Sequence, residues 1–227
     1  MSTEFMGKRV FVTGASRGIG RAIRNMYEEG GAYVCAPLRK ELDLSNPSSV
    51  TNYLQENSDK DYDILIFCAG VNNKSPIETI NAENLQETFQ VNLFSSIEII
   101  KKYIEKMKNR NSGKIIFISS LYAFVSREER LSYCCSKNAI TGLVKTLALE
   151  CAPNNICVNA IAPGYVYTEM TAKNLSKVEL EDIRNLIPTN RLQEEVEIAD
   201  AVAFLSSDKN KSITGQILAV DGGFLCR

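Results

Sequence analysis

The 227-residue sequence contains no histidine and no tryptophan. The absence of histidine excludes catalysis by an imidazole base, and it also excludes a zinc site with mixed cysteine and histidine ligands. The seven cysteines include no C-x-x-C pair, which favours reduced thiols over a disulfide framework. We therefore predict no metal site, and any catalysis must use other side chains.

An excess of one charge and a long apolar run are missing as well. The formal net charge is −1, so there is no overall basic field to hold nucleic acid or an anionic membrane. No apolar run approaches the length of a membrane span, and no basic-then-apolar signal segment is found at the start. We therefore expect a cytoplasmic protein that binds neither nucleic acid nor membrane.

Short β-branched runs alternate with amphipathic stretches along the chain. The predicted strands are 8–13, 32–36, 63–68, 114–119, 156–161 and 216–220, and the predicted helices are 18–29, 83–108, 132–150, 177–186 and 198–205. This alternation predicts an α/β fold with a doubly wound, mostly parallel sheet and helices on both faces, which is a Rossmann fold. Residues 7–227 contain no linker or repeat and are interpreted as a single domain. Residues 1–6 are interpreted as a tag or a disordered start.

One connection is too short for the expected pattern. Only residues 37–42 separate the second predicted strand from Asp43. A crossover helix needs about ten or more residues, so the helix expected at this point is predicted to be missing.

A glycine-rich turn joins the first predicted strand to the first predicted helix. It reads Thr13-Gly14-Ala15-Ser16-Arg17-Gly18-Ile19-Gly20. Glycines at such a junction permit a tight turn and let a phosphate approach the backbone N–H groups of a helix N-terminus. The motif predicts a dinucleotide-binding site, and a purely structural turn is the alternative.

Tyr133 and Lys137 are the strongest catalytic candidates. They are four residues apart in a predicted helix, so their side chains lie on one face. A neighbouring ammonium lowers the pKa of a phenol, which would make Tyr133 an acid or base near neutral pH. Taken alone, most pairs with this spacing are surface residues of a helix, so the interpretation depends on the rest of the chain.

The ordered set of motifs resembles that of the short-chain dehydrogenases/reductases. The motifs, in chain order, are the glycine turn, Asn92, Ser120, the Tyr133/Lys137 pair and Pro163-Gly164. The resemblance extends from Gly7 to Phe224, and the set is far more specific than any one member. It implies an NAD(P)(H)-dependent oxidoreductase, similar to the 3-oxoacyl-carrier-protein reductases of that family.

The resemblance implies a role for each of four catalytic residues. Tyr133 would donate a proton while hydride transfer reduces a ketone to a secondary alcohol, and Ser120 would hydrogen-bond the carbonyl. Lys137 would hold the nicotinamide ribose and lower the pKa of Tyr133. Asn92 would fix a water that links Lys137 to a proton path. The structural alternatives are a satisfied buried amide for Asn92 and a strand-end hydroxyl for Ser120.

The resemblance also implies a cofactor site. Its residues are Gly14, Ser16, Arg17, Gly18, Ile19, Gly20, Arg39, Asp43, Leu44, Ala69, Gly70, Tyr133, Lys137, Pro163, Gly164, Val166 and Thr168. Leu38 replaces the acidic residue that would accept from a ribose 2′-hydroxyl. Arg17 and Arg39 suit a 2′-phosphate, so NADP(H) is favoured over NAD(H). The short loop leaves the direction of Arg39 open.

The substrate is the least defined part of the prediction. The run Arg127-Glu128-Glu129-Arg130 lies between Ser120 and Tyr133, in the loop that borders the substrate in the family. It is either a solvated loop or a sign of a polar small-molecule substrate, such as a keto sugar or an acid. A 3-oxoacyl thioester stays open. An NAD-linked alcohol dehydrogenase and a catalytically silent dinucleotide-binding sensor or assembly protein are the alternatives. The family resemblance further implies a homo-tetramer or homo-dimer.

Overall fold

A parallel sheet forms the centre of the computed structural model, which describes residues 4–168 and 177–227. The strands are β1 (Arg9–Thr13), β2 (Tyr33–Cys35), β3 (Ile64–Phe67), β4 (Gly113–Ile118), β5 (Ile156–Pro163) and β6 (Ile217–Val220). Their order in the sheet is β2-β1-β3-β4-β5-β6, and every pairing between them is parallel. The strand after β1 is added on one side of it, and β3 and the later strands are added on the other side. The strand order therefore switches between β1 and β3, where doubly wound sheets bind ligands.

Helices cover both faces of the sheet. They are α1 (Gly18–Glu29), α2 (Pro47–Glu56), α3 (Ala82–Phe89), α4 (Ser95–Arg110), α5 (Leu131–Cys151), α6 (Lys177–Leu186) and α7 (Glu195–Ser206). Phe11 of β1 packs in one buried cluster with α2, α4 and α5, whereas Val10 and Val12 pack in the other with α1 and α7. A strand that is buried on both faces reads as a continuous apolar run. The predicted α/β fold is confirmed.

Helix α2 was not predicted from the sequence. Its start carries a recognisable signal, because Asn46 occupies the N-cap and Pro47 the first turn. The Asn46 side chain accepts hydrogen bonds from the backbone N–H groups of Ser48 and Ser49. Asparagine followed by proline is a strong start signal, so the helix was predictable.

The long helix predicted for 83–108 is divided in the structure. Helix α3 ends at Phe89, a π-helical turn covers Gln90–Phe94, and α4 begins at Ser95. Single π-helical turns often occur at functional sites. This one contains Asn92, a predicted site residue.

Two segments can be compared with their sequence predictions: the connection after β2 and the start of the chain. No helix forms in residues 37–42, as predicted. The crossover from β2 to β3 is nevertheless helical, because α2 supplies its helix. At the start of the chain, Phe5 is 3% exposed and contacts the ring of Tyr27 edge-on at 4.7 Å. Its backbone N–H donates to the carbonyl of Gly30. The interpretation of residues 1–6 as lying outside the fold is therefore wrong at Phe5.

Candidate active site

The glycine turn between β1 and α1 tolerates no side chain at two positions. A Cβ on Gly14, whose φ is +71°, would lie 2.7 Å from the Cα of Ala69. A Cβ on Gly20 would lie 2.1 Å from the carbonyl oxygen of Gly14. The side chain of Arg17, at the N-cap of α1, makes no capping hydrogen bond. The first N–H groups of α1 are thus suited to an external acceptor such as a phosphate, which is the fit that a dinucleotide needs.

A cavity of about 700 Å³ extends from this turn to Tyr133. Its size is typical of a small-molecule site. All the residues that were predicted to bind the cofactor line it, and Ser120 does as well. Asn92 is the one predicted site residue that does not line the cavity.

Ser120 and Tyr133 lie together at the end of the cavity away from the glycine turn. Ser120 follows β4 and caps a 3₁₀ turn over Leu121–Ala123, where its hydroxyl accepts from the backbone N–H of Tyr122 at 3.3 Å. Tyr133 lies in the first turn of α5. The ring of Tyr122 meets the ring of Tyr133 nearly perpendicularly, with 6.1 Å between centroids.

The pKa of Tyr133 differs from the sequence prediction. Burial raises it to about 12, against lowering contributions from the hydroxyl of Ser120 and the charge of Arg130. The predicted lowered pKa is therefore wrong for this structure, because loss of solvent outweighs the nearby positive charge. With this pKa, Tyr133 keeps its proton at neutral pH.

Lys137 is buried beside Tyr133. Its side chain is 4% exposed, and its Nζ lies 5.5 Å from the centroid of the Tyr133 ring. The ammonium donates to the carbonyl of Ile118 at 2.8 Å. Burial lowers the pKa of Lys137 to about 8, and the nearby thiol of Cys68 opposes this shift. A cation with one backbone acceptor is thus held at the floor of the cavity.

Asn92 lies behind the cavity and connects three segments. Its Oδ1 accepts from the N–H of Val71 at 2.8 Å, and its Nδ2 donates to the carbonyl of Val71 and to the hydroxyl of Ser136, both at 3.0 Å. A Cβ on Gly70 would lie 3.4 Å from Asn92 Oδ1 and 3.7 Å from Lys137 Nζ. The side chain of Asn92 is thus engaged by protein groups, which fits a positioning role.

Arg39 lies at the opposite end of the cavity, near Asp43. Its Nε is 3.4 Å from Asp43 Oδ2, and its Nη2 donates to the hydroxyl of Ser45 at 3.4 Å. Hydrogen bonds from Ser45 and the charge of Arg39 lower the pKa of Asp43. The direction of Arg39 that the sequence left open is therefore toward the cavity wall formed by Asp43.

The lining residues that were not predicted include Cys68, Tyr122 and Tyr165. Cys68 follows β3 directly, and burial raises the pKa of its thiol to about 12. The hydroxyls of Tyr122 and Tyr165 lie 3.5 Å apart. Each aromatic residue comes shortly after a predicted site residue, Ser120 or Gly164, and this proximity was the available signal.

Comparison with known proteins identifies the family. A family model described as enoyl-(acyl carrier protein) reductase matches residues 4–225. The 3-oxoacyl-[acyl-carrier-protein] reductase FabG of Escherichia coli strain K12 is 33% identical in an alignment that covers 97% of this chain and 98% of that protein. The chain belongs to the short-chain dehydrogenase/reductase family. It is therefore an oxidoreductase, and NAD(P) is its cofactor class.

Solved structures of short-chain dehydrogenases/reductases have the same fold. A structure described as an NAD(P)-dependent gluconate 5-dehydrogenase from Beutenbergia cavernae, with NADP at low occupancy, superposes with a TM-score of 0.93 at 30% identity, and all of both chains is covered. A 4-hydroxyisoleucine dehydrogenase complexed with NADH superposes with a TM-score of 0.92 at 26% identity, covering 97% of this chain and all of that one. Within the described part of this chain, no helix has the length and apolar character needed to cross a membrane.

Proposed function

We propose that this short-chain dehydrogenase/reductase uses NADPH to reduce a ketone to a secondary alcohol, with Tyr133 as the proton donor. The observation that carries the proposal is one cavity with the glycine turn at one end and Ser120, Tyr133 and Lys137 at the other. When bound, the reduced nicotinamide supplies a hydride to the carbonyl carbon. The residues of the chain then have to stabilise the negative charge that develops on the carbonyl oxygen and donate a proton to that oxygen.

The protonation states support reduction at neutral pH. Tyr133, with a pKa of about 12, has a proton to give to the developing alkoxide. Ser120, which lines the same cavity beside Tyr133, would hydrogen-bond the same oxygen through its hydroxyl. Lys137 is cationic below a pH of about 8, and its charge favours the tyrosinate that remains after proton transfer. A proton from solvent restores Tyr133.

The preference for NADPH rests on two arginines. Arg17 and Arg39 both line the cavity on the side of the glycine turn. Guanidinium groups bind a phosphate through charge-assisted hydrogen bonds, and a 2′-phosphate is what distinguishes NADP from NAD. ElxO, a relative solved with NADP bound, has a TM-score of 0.89 with this chain at 25% identity.

Two substrate classes follow from the relatives. The FabG proteins are named for 3-oxoacyl groups on a carrier protein. The gluconate and 4-hydroxyisoleucine dehydrogenases are named for hydroxy acids, which become keto acids on oxidation. A panel for this protein should contain a neutral 3-oxoacyl thioester, such as acetoacetyl-N-acetylcysteamine, together with keto acids and keto sugars.

The test is Tyr133→Phe, assayed on that panel by the loss of NADPH absorbance. We expect turnover to fall by about 100-fold or more, because the proton donor is removed, while NADPH affinity changes little. Tyr167→Phe is the matched control, since Tyr167 is 61% exposed and does not line the cavity. Full turnover by Tyr133→Phe would rule out this proton donor. NADPH binding without reduction of any panel member by the wild type would favour a silent dinucleotide-binding protein.

A further inference from the structure

The structure separates the charges of the loop between Ser120 and Tyr133 by sign. Arg127 and Arg130 line the cavity, whereas Glu128 and Glu129 do not. The run contains two positive and two negative residues, so its sequence has no net charge. The fold presents only its positive members to the site.

Uncharged groups surround Arg127 at the cavity. Tyr122 and Tyr165, whose hydroxyls lie 3.5 Å apart, line the cavity with it, and the proximity of the Tyr122 hydroxyl, followed by that of Tyr165, raises the pKa of Arg127. Within residues 4–168 and 177–227, no carboxylate forms an ion pair with it. A guanidinium has five N–H donors in a planar fork, so two phenols leave donors for a ligand.

Contacts between the loop of Arg130 and the loop that contains Asn72 and Ser75 orient Arg130. Its Nη1 donates to Asn72 Oδ1 at 2.7 Å, and its backbone forms a parallel β-bridge with Ser75. The N–H of Ser75 donates to the carbonyl of Glu129 at 3.0 Å. The second arginine is thus fixed by the backbone and by an amide, again without a carboxylate partner in the described ranges.

Other charges at this end of the cavity leave it positive. Lys74 and Glu87 also line the cavity, and the carboxylate of Glu87 accepts from Asn73 Nδ2 at 3.3 Å. Asp43, the other acidic residue in the lining, lies beside Arg39 at the glycine-turn end. Apart from the glycine turn and its neighbours Arg39 and Asp43, the lining therefore contains four cations, Lys74, Arg127, Arg130 and Lys137, and one carboxylate, Glu87.

The position of Arg127 relative to Tyr133 suits a bifunctional ligand. The centroids of the Tyr122 and Tyr133 rings lie 6.1 Å apart, and the Tyr122 hydroxyl is close enough to Arg127 to raise its pKa. The side chain of Tyr122 therefore separates the guanidinium of Arg127 from Tyr133, the proposed proton donor. A ligand whose carbonyl meets Tyr133 would meet Arg127 with an atom a few bonds further on.

We propose that the substrate is a small ketone bearing a carboxylate, and that Arg127, assisted by Arg130, binds this carboxylate. The proposal rests on the proposed reductase function and narrows its substrate class. Hydride goes to the carbonyl carbon, the Tyr133 proton goes to the carbonyl oxygen, and the carboxylate is unchanged. An acyl group on a carrier protein is neutral near its ketone, so it would give neither arginine a carboxylate partner.

The first arm of the test compares ketones that differ only in charge. With saturating NADPH, we expect the wild type to reduce levulinate with a kcat/KM roughly 10- to 100-fold above that of its amide, the range expected for charged hydrogen bonds. Arg127→Gln should abolish this preference by raising KM for levulinate, with the amide unaffected. Arg127→Lys should restore part of it, and Lys145→Gln, an exposed residue of α5, should have no effect. Equal use of levulinate and its amide by the wild type would overturn the proposal.

The second arm measures binding, so that it can be separated from turnover. Calorimetry of the NADPH-loaded protein with glutarate, which has no ketone, should show binding that Arg127→Gln weakens by a similar factor. If glutarate binds in this way but no ketone is reduced, the carboxylate site stands and the reductase function fails. If ketones are reduced but glutarate does not bind, the reductase function stands and the carboxylate site is overturned. We use Arg127 because a change at Arg130 would also alter the pKa of Tyr133.

Discussion

The pKa values of Lys137 and Tyr133 depend on surroundings that their spacing in the sequence does not show. The spacing of the pair was visible in the sequence, and the structure places both at one end of the cavity. Burial, however, raises the pKa of Tyr133 to about 12 and lowers the pKa of Lys137 to about 8. Spacing along a helix shows which residues share a face, but the loss of solvent that moves these pKa values depends on the whole fold.

The pH dependence of reduction should follow Lys137. Between pH 6 and 10 Tyr133 stays protonated, so we expect kcat to be level below about pH 8 and to fall by about tenfold per pH unit above it. Lys137→Arg, if active, should show no such fall, because arginine keeps its charge. A wild-type profile that stays level to pH 10 would contradict the role of the ammonium.

The same pKa shift has a consequence for stability, with a defined sign. The pKa of Lys137 is about 8 in the folded state, against an ordinary value of 10.5. Between these values the unfolded chain binds more protons, so the contribution of Lys137 to the free energy of unfolding rises with pH. Below about pH 8 Lys137 is charged in both the folded and the unfolded state, and burial of this charge lowers the free energy of unfolding.

Cofactor preference is a second property of single residues. We expect Arg39→Ala to raise the Kd for NADPH by roughly 10-fold while the Kd for NADH changes little, because a charge-assisted hydrogen bond to a 2′-phosphate is lost. Fluorescence titration with both dinucleotides measures this. Lys40→Ala, which changes the adjacent cation outside the cavity lining, is the control. An unchanged ratio of the two affinities would remove Arg39 from the cofactor site.

At the scale of elements, the glycine turn and the π-helical turn position predicted site residues. Gly14 lets the turn approach Ala69, and Gly20 lets the start of α1 approach the Gly14 carbonyl. The turn at Gln90–Phe94 contains the Asn92 that binds Val71 and Ser136. The glycines were recognisable because their spacing is a motif. The π-helical turn was not, since a run with one extra residue has the same apolar character as a regular helix.

Two glycine-to-alanine changes should act in opposite directions. Gly20→Ala places a methyl group 2.1 Å from the Gly14 carbonyl oxygen, so we expect a loss of about 3 kcal/mol in the free energy of unfolding and loss of NADPH binding. Gly142→Ala lies within α5 with no atom near the new methyl group, so we expect a gain of about 0.5–1 kcal/mol. Urea denaturation measures both. A tolerated Gly20→Ala would contradict the close approach at the turn.

At the scale of the whole molecule, strand order decides where the site lies. Strands β2 and β3 lie on opposite sides of β1, and this arrangement opens a crevice beside β1. The residues predicted to bind the cofactor meet in that crevice. Both buried clusters share this sheet, and we propose that residues 7–227 fold as one unit.

Assembly is the property of the whole molecule that needs a direct measurement. Leu149 on α5 is 80% exposed, which is unusual for a large apolar side chain and fits the predicted homo-tetramer or homo-dimer. We expect the wild type to run as an oligomer in size-exclusion chromatography with light scattering, and Leu149→Glu to shift it toward the monomer. Val178→Glu, at a 71% exposed position on α6, should leave the mass unchanged. A monomeric wild type would contradict the assembly.

The sequence by itself determined the fold class, the glycine turn and the order of Asn92, Ser120, Tyr133 and Lys137. These are local properties, because strand and helix periodicity, tight turns and residue spacing are read from neighbours in the chain. Only the tertiary structure decided the pKa values of Tyr133 and Lys137 and the separation of Arg127 and Arg130 from Glu128 and Glu129. Burial and the side of a loop that faces a cavity depend on segments distant in the chain, so no local pattern contains them.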